Sequence, residues 1–126
     1  MRIWLAQGRD KRWAKRLVGG SPPTEYVVAA PEGSREPEWV CSVVYDRRWR
    51  PRSAWLEVWE AKALRGLPEW ELLDAALRRA VQRGCRVVKI DGREHSSDLL
   101  FMLGFDPLTP DVFRWGVSIA DLAHHE

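Results

Sequence analysis

The spacing of apolar residues changes near residue 68 of the chain. Before that point, apolar residues are dense or alternate with polar ones over residues 2–7, 25–30, 39–45 and 54–59, which predicts four strands. Short stretches rich in turn-forming or charged residues separate the last three strands. These three strands are therefore predicted to form an antiparallel meander.

Two segments show the spacing of helices. Residues 9–18 place Trp13, Ala14 and Leu17 on one face, and a Gly-Gly-Ser-Pro-Pro stretch at 19–23 ends this helix. The second helix is predicted over residues 68–83. Pro68 occupies the first position, where a missing N–H costs nothing, and Glu69 and Glu71 follow in the first turn. Gly84 is predicted to cap the C-terminal end of the helix.

In the remainder of the chain, the pattern of apolar residues predicts a buried strand over 86–90 and a short helix that begins after Ser96 or Ser97 and runs through Leu103. An irregular stretch over 105–110 and a last strand over 112–119 follow. The order is β-α-β-β-β-α-β-α-β. It predicts one α/β (α+β) domain spanning residues 1–126, with a mixed, mostly antiparallel central sheet and helices on both faces.

The sequence of the segment from Trp55 to Phe105 resembles that of the GNAT-type N-acetyltransferase superfamily. Leu56-Glu57-Val58 is similar to the end of the family's fourth strand, and Arg65-Gly66 lies where the family has its pyrophosphate loop. Leu72-Leu73, followed eleven residues later by Gly84, has the spacing of the helix after that loop.

Two further motifs complete the resemblance. Val87-Val88-Lys89-Ile90 is similar to the family's fifth strand, and the run Leu-Leu-Phe-Met-Leu-Gly-Phe at 99–105 resembles its closing signature, "LYxxLGF". The resemblance covers about 50 residues well and the rest of the chain by element order alone.

The resemblance implies a fold, a co-substrate and a site. The fourth and fifth strands of the family part, and the pantetheine arm of acetyl-CoA lies along the exposed strand edge. Transfer of the acetyl group to an amine acceptor, which the sequence does not identify, is the implied activity. The implied co-substrate-binding residues are Leu56, Val58, Arg65, Gly66 and Leu67. We expect Glu57 to be the general base, and Tyr45 to be an acid that protonates the departing thiolate.

The sequence departs from the family pattern at three places. The pyrophosphate loop keeps at most one glycine, and Pro68 or Glu69 then falls on a position that the family fills with a small residue. The usual tyrosine falls on Leu100, and the usual asparagine of the preceding loop falls on Arg93. These departures imply an N-acyltransferase with weak or lost activity. The alternative is a non-catalytic binding or structural module, homodimeric through exposed tryptophans.

Composition and charge narrow the other possibilities. No apolar run in the 126 residues is long enough to span a membrane. A net charge of +2 makes nucleic acid an unlikely partner. The loop Arg47–Arg52, which contains Trp49, is nevertheless both basic and aromatic. His95 lacks a second histidine at ligand spacing, so no metal site is expected. The two cysteines are expected to be small buried hydrophobes in a cytoplasmic protein. Sixteen of the 20 basic residues are arginine and asparagine is absent, as in many proteins of thermophiles.

Overall fold

The alternating segments of the sequence form one sheet. The computed structural model describes residues 1–19, 24–60 and 69–116, which contain seven strands and three α-helices. The strands are β1 (Arg2–Leu5), β2 (Thr24–Ala30), β3 (Trp39–Tyr45), β4 (Ser53–Glu60), β5 (Val87–Asp91), β6 (Asp106–Pro107) and β7 (Val112–Gly116). The helices are α1 (Gly8–Val18), α2 (Glu69–Gln82) and α3 (Ser97–Met102), and a 3₁₀ turn covers Gly92–Glu94.

The strands follow the order β1-β2-β3-β4-β5-β7-β6. The predicted meander is confirmed, since β2, β3 and β4 pair antiparallel. Within the described residues, the β4–β5 pair is the one parallel pair, and α2 makes the crossover between these strands. The predicted mixed, mostly antiparallel sheet is therefore confirmed.

Helices cover both faces of the sheet, as predicted. One core contains the apolar side of α2, including Leu72, Leu73 and Ala76, together with side chains of α3 and the central strands. On the opposite face, Ala14 of α1 packs in a smaller core with Tyr26 and residues of β2 and β3. Burying a leucine fully contributes about 1.5–3 kcal/mol, so the larger core contributes most of the hydrophobic stabilisation.

Several predicted boundaries need correction. The first strand ends at Leu5 rather than at residue 7, because Gln7 precedes the helix and its carbonyl accepts from the N–H groups of its first turn. The stretch 105–110 is not wholly irregular, because the two-residue strand β6 pairs with β7. Such a short, proline-containing strand has no detectable period. The last strand is described to Gly116, and the rest of its predicted length lies outside the described residues.

Among the described residues, no helix combines the length and the apolar character needed to cross a bilayer.

Candidate functional site

Strands β4 and β5 part at one end of the sheet. Their parallel pairing covers four residue pairs, from Ser53 opposite Val87 to Leu56 opposite Ile90. Beyond Leu56, β4 continues through residues 57–60 and pairs with β3 alone. After Ile90, β5 reaches Asp91 and pairs there with β7. A gap therefore opens between the two strands at their carboxyl ends.

A cleft of about 380 Å³ occupies this gap. It is lined by Trp55, Leu56, Glu57, Val58, Asp91, Glu94 and His95. Successive peptide groups along β4 point alternately to its two neighbours. Those of residues 57–60 that point away from β3 have no strand partner in the described part of the chain. The cleft thus offers free backbone donors and acceptors along one wall.

Alternation along β4 sets which side chains face the cleft. The side chain of Leu56 is buried in the core beneath α2, with an exposed fraction of 1%, and Val58 packs against the same core. Glu57 therefore points to the opposite face, together with Trp55. Its carboxylate is exposed and has no hydrogen-bond partner among the described residues. Val58 could thus hold a ligand through its backbone next to the paired residue Leu56, and Glu57 could take a proton.

Glu69 and His95 come together at the cleft. Nδ1 of His95 hydrogen-bonds Oε1 of Glu69, the first residue of α2, and the His95 side chain is only 6% exposed. Nε2 has no hydrogen-bond partner in the described ranges. When a carboxylate accepts from Nδ1–H, Nε2 keeps a free lone pair that can accept a proton. The pair is therefore a second group in this cleft that could act as a base.

This pair could not be predicted from the sequence, because 26 residues separate its members. No local motif connects them. Only the parallel topology does: α2 follows the carboxyl end of β4, the loop with His95 follows the carboxyl end of β5, and these two ends lie side by side.

Asp91 and Arg93 form an ion pair with several hydrogen bonds at the rim of the cleft. Arg93 donates through its backbone N–H and Nε to Oδ1 of Asp91, and through Nη2 to Oδ2 at 2.8 Å. The Arg93 side chain lowers the pKa of Asp91 to about 2. Arg93, which the resemblance places at an asparagine position, therefore has its guanidinium directed to Asp91.

Carboxylates outnumber cations around the cleft. Asp91 is balanced by Arg93, and Glu69 contacts His95. The carboxylates of Glu57 and Glu94 form no ion pair or hydrogen bond with a described side chain, and Glu94 lies within electrostatic range of Arg93, which is already paired with Asp91. Because they line a single cleft, their charges favour a positively charged ligand there.

Tyr45 lies away from this cleft. It stands opposite Ala54 and belongs to the core beneath α2, so its side chain and that of Glu57 are on opposite faces of the sheet. Its hydroxyl donates to Oε1 of Glu25 at 2.6 Å. Burial and the neighbouring Glu25 carboxylate raise the pKa of Tyr45. The structure therefore does not bring together the acid and the base expected from the sequence.

Three other predicted site residues cannot be placed relative to the cleft from the described part of the chain. Arg65, Gly66 and Leu67 lie outside the described residues. Leu100, which stands at the tyrosine position of the resembled "LYxxLGF" signature, is fully buried and has no proton to donate. No cluster of three or more His, Cys, Asp or Glu suited to a metal ion occurs in residues 1–19, 24–60 and 69–116.

Both cysteines are buried, as predicted from the sequence. Burial raises the pKa of the Cys41 thiol, and it raises that of Cys85 to about 11. Neither cysteine is therefore primed as a thiolate nucleophile.

Comparison with solved structures finds the same architecture in several acetyltransferases. A protein named as a phosphinothricin N-acetyltransferase is 17% identical to the chain, covers 93% of it and 98% of its own length, and superposes with a TM-score of 0.65. The GNAT-family acetyltransferase of Streptococcus pneumoniae is 13% identical, with a TM-score of 0.58 and coverage of 90% and 97%.

A third similar structure is the ribosomal-protein-alanine N-acetyltransferase of Brucella melitensis, which is 18% identical, with a TM-score of 0.60 and coverage of 84% of this chain and 75% of its own. No family model matches the sequence. No curated protein matches it either.

Proposed function

Because the chain has the fold of the GNAT-type N-acetyltransferases, we propose that it transfers an acyl group from acyl-CoA to a primary amine in the cleft between β4 and β5. The observation that carries this proposal is the parting of the two strands after Leu56 and Ile90. It frees a strand edge for an extended thioester arm.

The pantetheine arm of the co-substrate fits the open edge of β4. Amide groups of pantetheine can exchange hydrogen bonds with the free peptide groups of residues 57–60, beside Leu56 and Val58. In this proposal Arg65, Gly66 and Leu67 contact the pyrophosphate. Glu69 and Glu71 place negative charge in the first turn of α2, where the pyrophosphate would lie. We therefore expect weak binding of acetyl-CoA.

The reaction needs one proton acceptor on the enzyme. The amine nitrogen attacks the thioester carbonyl carbon, so that a C–N bond forms and the C–S bond breaks. Glu57 takes the proton released by the amine, and water protonates the departing thiolate. The second candidate for the base is His95, because Glu69 orients its ring.

The acceptor in this proposal is an amine that carries positive charge in solution. Glu57 and Glu94 attract such a cation to the cleft. The cation first loses one proton to water, which produces the neutral amine nucleophile, and Glu57 takes the second proton when the C–N bond forms. Aliphatic polyamines and peptides with free amino groups belong to this class, and they are suitable first substrates for an assay.

Titration with acetyl-CoA tests the co-substrate. A ligand at one hundred times its dissociation constant adds about 2.7 kcal/mol to the free energy of unfolding. We expect the melting temperature to rise with acetyl-CoA and to be unaffected by acetate. If millimolar acetyl-CoA neither shifts melting nor gives a calorimetric signal, the transferase proposal fails and the non-catalytic module is favoured.

Substitution of the two candidate bases tests the chemistry. We expect Glu57→Gln to lower turnover by about a hundredfold or more and to leave acetyl-CoA binding unchanged. Glu36→Gln, an exposed carboxylate outside the cleft, is the matched control. If Glu57→Gln retains full turnover while His95→Gln loses it, the role of base passes to His95.

A further inference from the structure

The hairpin between β3 and β4 displays an indole among cations. Residues 46–52, which we call the arginine hairpin, contain Trp49 with 95% of its surface exposed. Four arginines of this hairpin are exposed as well, and their side chains have no hydrogen bond or ion pair with any described residue: Arg47, Arg48, Arg50 and Arg52.

Asp46 holds the arginine hairpin in shape. Its carboxylate accepts from the backbone N–H groups of Arg48 at 3.0 Å, Arg52 at 2.9 Å and Ser53 at 2.9 Å, and from the Ser53 hydroxyl at 3.1 Å. The one acidic side chain of the hairpin is therefore occupied by the loop itself.

The base of the hairpin is fixed to the start of β5. The backbone N–H of Arg86 donates to the carbonyl of Arg52 at 2.8 Å, and the Cys85 thiol lies 3.9 Å from the carbonyl of Pro51. Arg86, also exposed and without a described acidic partner, extends the cationic area. The hairpin is thus an anchored platform with one exposed indole and four arginines, and Arg86 beside it is a fifth arginine without an acidic partner among the described residues.

The local positive charge of the hairpin, rather than the small net charge of the chain, determines which ligands are attracted to this surface. Cations that have no internal partner attract phosphates, and an exposed indole offers a flat surface on which an unpaired base can stack. Insertion into a lipid surface would need an apolar face, and Trp49 is the only large apolar side chain among residues 46–52. Duplexes keep their bases stacked on one another and leave none free for the indole.

We propose that the arginine hairpin binds single-stranded nucleic acid, with a base stacked on Trp49 and phosphates contacted by Arg47, Arg48 and Arg50. This binding site is separate from the acyl-transfer cleft, because it lies at the opposite end of β4. It does not depend on whether the cleft is catalytic.

Fluorescence anisotropy with labelled oligonucleotides tests this binding. The probes are oligo(dT) and oligo(rU) of about 12 nucleotides, measured at roughly 50 and 200 mM salt. We expect Trp49→Ala to weaken binding about tenfold at both salt concentrations. We expect the double variant Arg47→Ala, Arg48→Ala to weaken binding and to reduce the salt dependence. Tighter binding of one oligonucleotide identifies RNA or DNA as the preferred ligand.

The double variant Arg12→Ala, Arg16→Ala is the control, since it removes equal charge from the exposed side of α1. Equal weakening by this control would show attraction to net charge alone and would overturn the proposal. Equal affinity for a duplex, or binding to phosphatidylserine vesicles without binding to either oligonucleotide, would overturn it too. Circular dichroism and melting temperature establish that each variant is folded, and full affinity of folded Trp49→Ala would also contradict the proposal.

Discussion

At the residue scale, the hydroxyl of Tyr45 belongs to a hydrogen-bond network that connects secondary-structure elements. It donates to Glu25, whose carboxylate also accepts from Arg79 through Nε at 3.0 Å and Nη2 at 2.7 Å. The guanidinium of Arg83 lies 5.4 Å from the centre of the Tyr45 ring. These contacts join β2, β3 and α2 on the core side of the sheet, away from the cleft.

Tyr45→Phe separates a structural role from a catalytic one. It removes one hydrogen bond to a carboxylate that keeps its contacts with Arg79, so we expect the free energy of unfolding to fall by about 1–2 kcal/mol. Chemical denaturation measures this loss, and an acetyl-transfer assay should show unchanged turnover. Lost turnover with unchanged stability would instead make Tyr45 a catalytic acid.

Glu25 makes stability depend on pH. Burial opposes ionisation of Glu25, but hydrogen bonds from Arg79 and Tyr45 outweigh it and hold the pKa below the ordinary value of 4.5. The unfolded chain therefore binds more protons in acid, and the contribution of Glu25 to stability is lost as the pH falls below 4.5.

Glu25→Gln tests this dependence by urea unfolding at a series of pH values. We expect the variant to be less stable than the wild type at neutral pH, and the difference to narrow as the pH falls below 4.5. Glu36→Gln, at an exposed carboxylate, should show a much smaller difference. A difference for Glu25→Gln that stays constant with pH would contradict the argument.

The sequence allowed part of the site to be predicted at this scale. Period-two alternation within one strand is enough to place Glu57 and Trp55 on the same face of β4, because side chains two residues apart in a strand point to the same side. It could not place Tyr45 relative to Glu57, since their separation depends on strand register. The contact between Glu69 and His95 depends on the parallel crossover, which no local pattern encodes.

At the element scale, the sequence predicted the order and type of elements better than their ends. The apolar residues of α2 recur over a long segment, so its position was clear. Strand β6 has only two residues, Asp106 and Pro107, and tertiary contact with β7 alone makes it a strand. The parting of β4 and β5 was inferred from the resemblance, because hydrophobic patterns do not report where two strands stop pairing.

The junction of β5 and β7 depends on a glycine. Gly116 has φ +136°, and a Cβ there would lie 2.0 Å from the carbonyl oxygen of Arg86. Gly33 also has positive φ, at +84°, but nothing lies within 4 Å of a Cβ there. We expect Gly33→Ala to cost about 1–2 kcal/mol and Gly116→Ala about 2 kcal/mol more. Denaturation of both variants measures the difference, and equal losses would mean that the close approach carries no cost.

At the scale of the whole molecule, the cleft and the arginine hairpin lie toward opposite ends of β4. Ser53 and Glu57 are separated by about 13 Å along the strand. Sites this far apart that share no side chain generally behave independently. We therefore expect Trp49→Ala to leave acetyl-CoA binding unchanged and Glu57→Gln to leave oligonucleotide affinity unchanged.

Combining the two substitutions in one protein measures the coupling. The effects on each binding constant should add to within about 0.5 kcal/mol. Calorimetry with acetyl-CoA and anisotropy with oligo(rU) give the two constants. A larger deviation would show that the hairpin and the cleft communicate through β4.

Because only four residue pairs join β4 to β5, the sheet can be divided into two halves at this junction. Strands β1 to β4 form one ribbon of consecutive antiparallel strands, and residues 69–116 supply α2 and the strands on the other side of the parallel pair. A backbone cut between these halves would yield two fragments with complementary apolar surfaces, and we expect them to reassemble when mixed. Fused to two different proteins, such fragments would make this fold a reporter of their encounter.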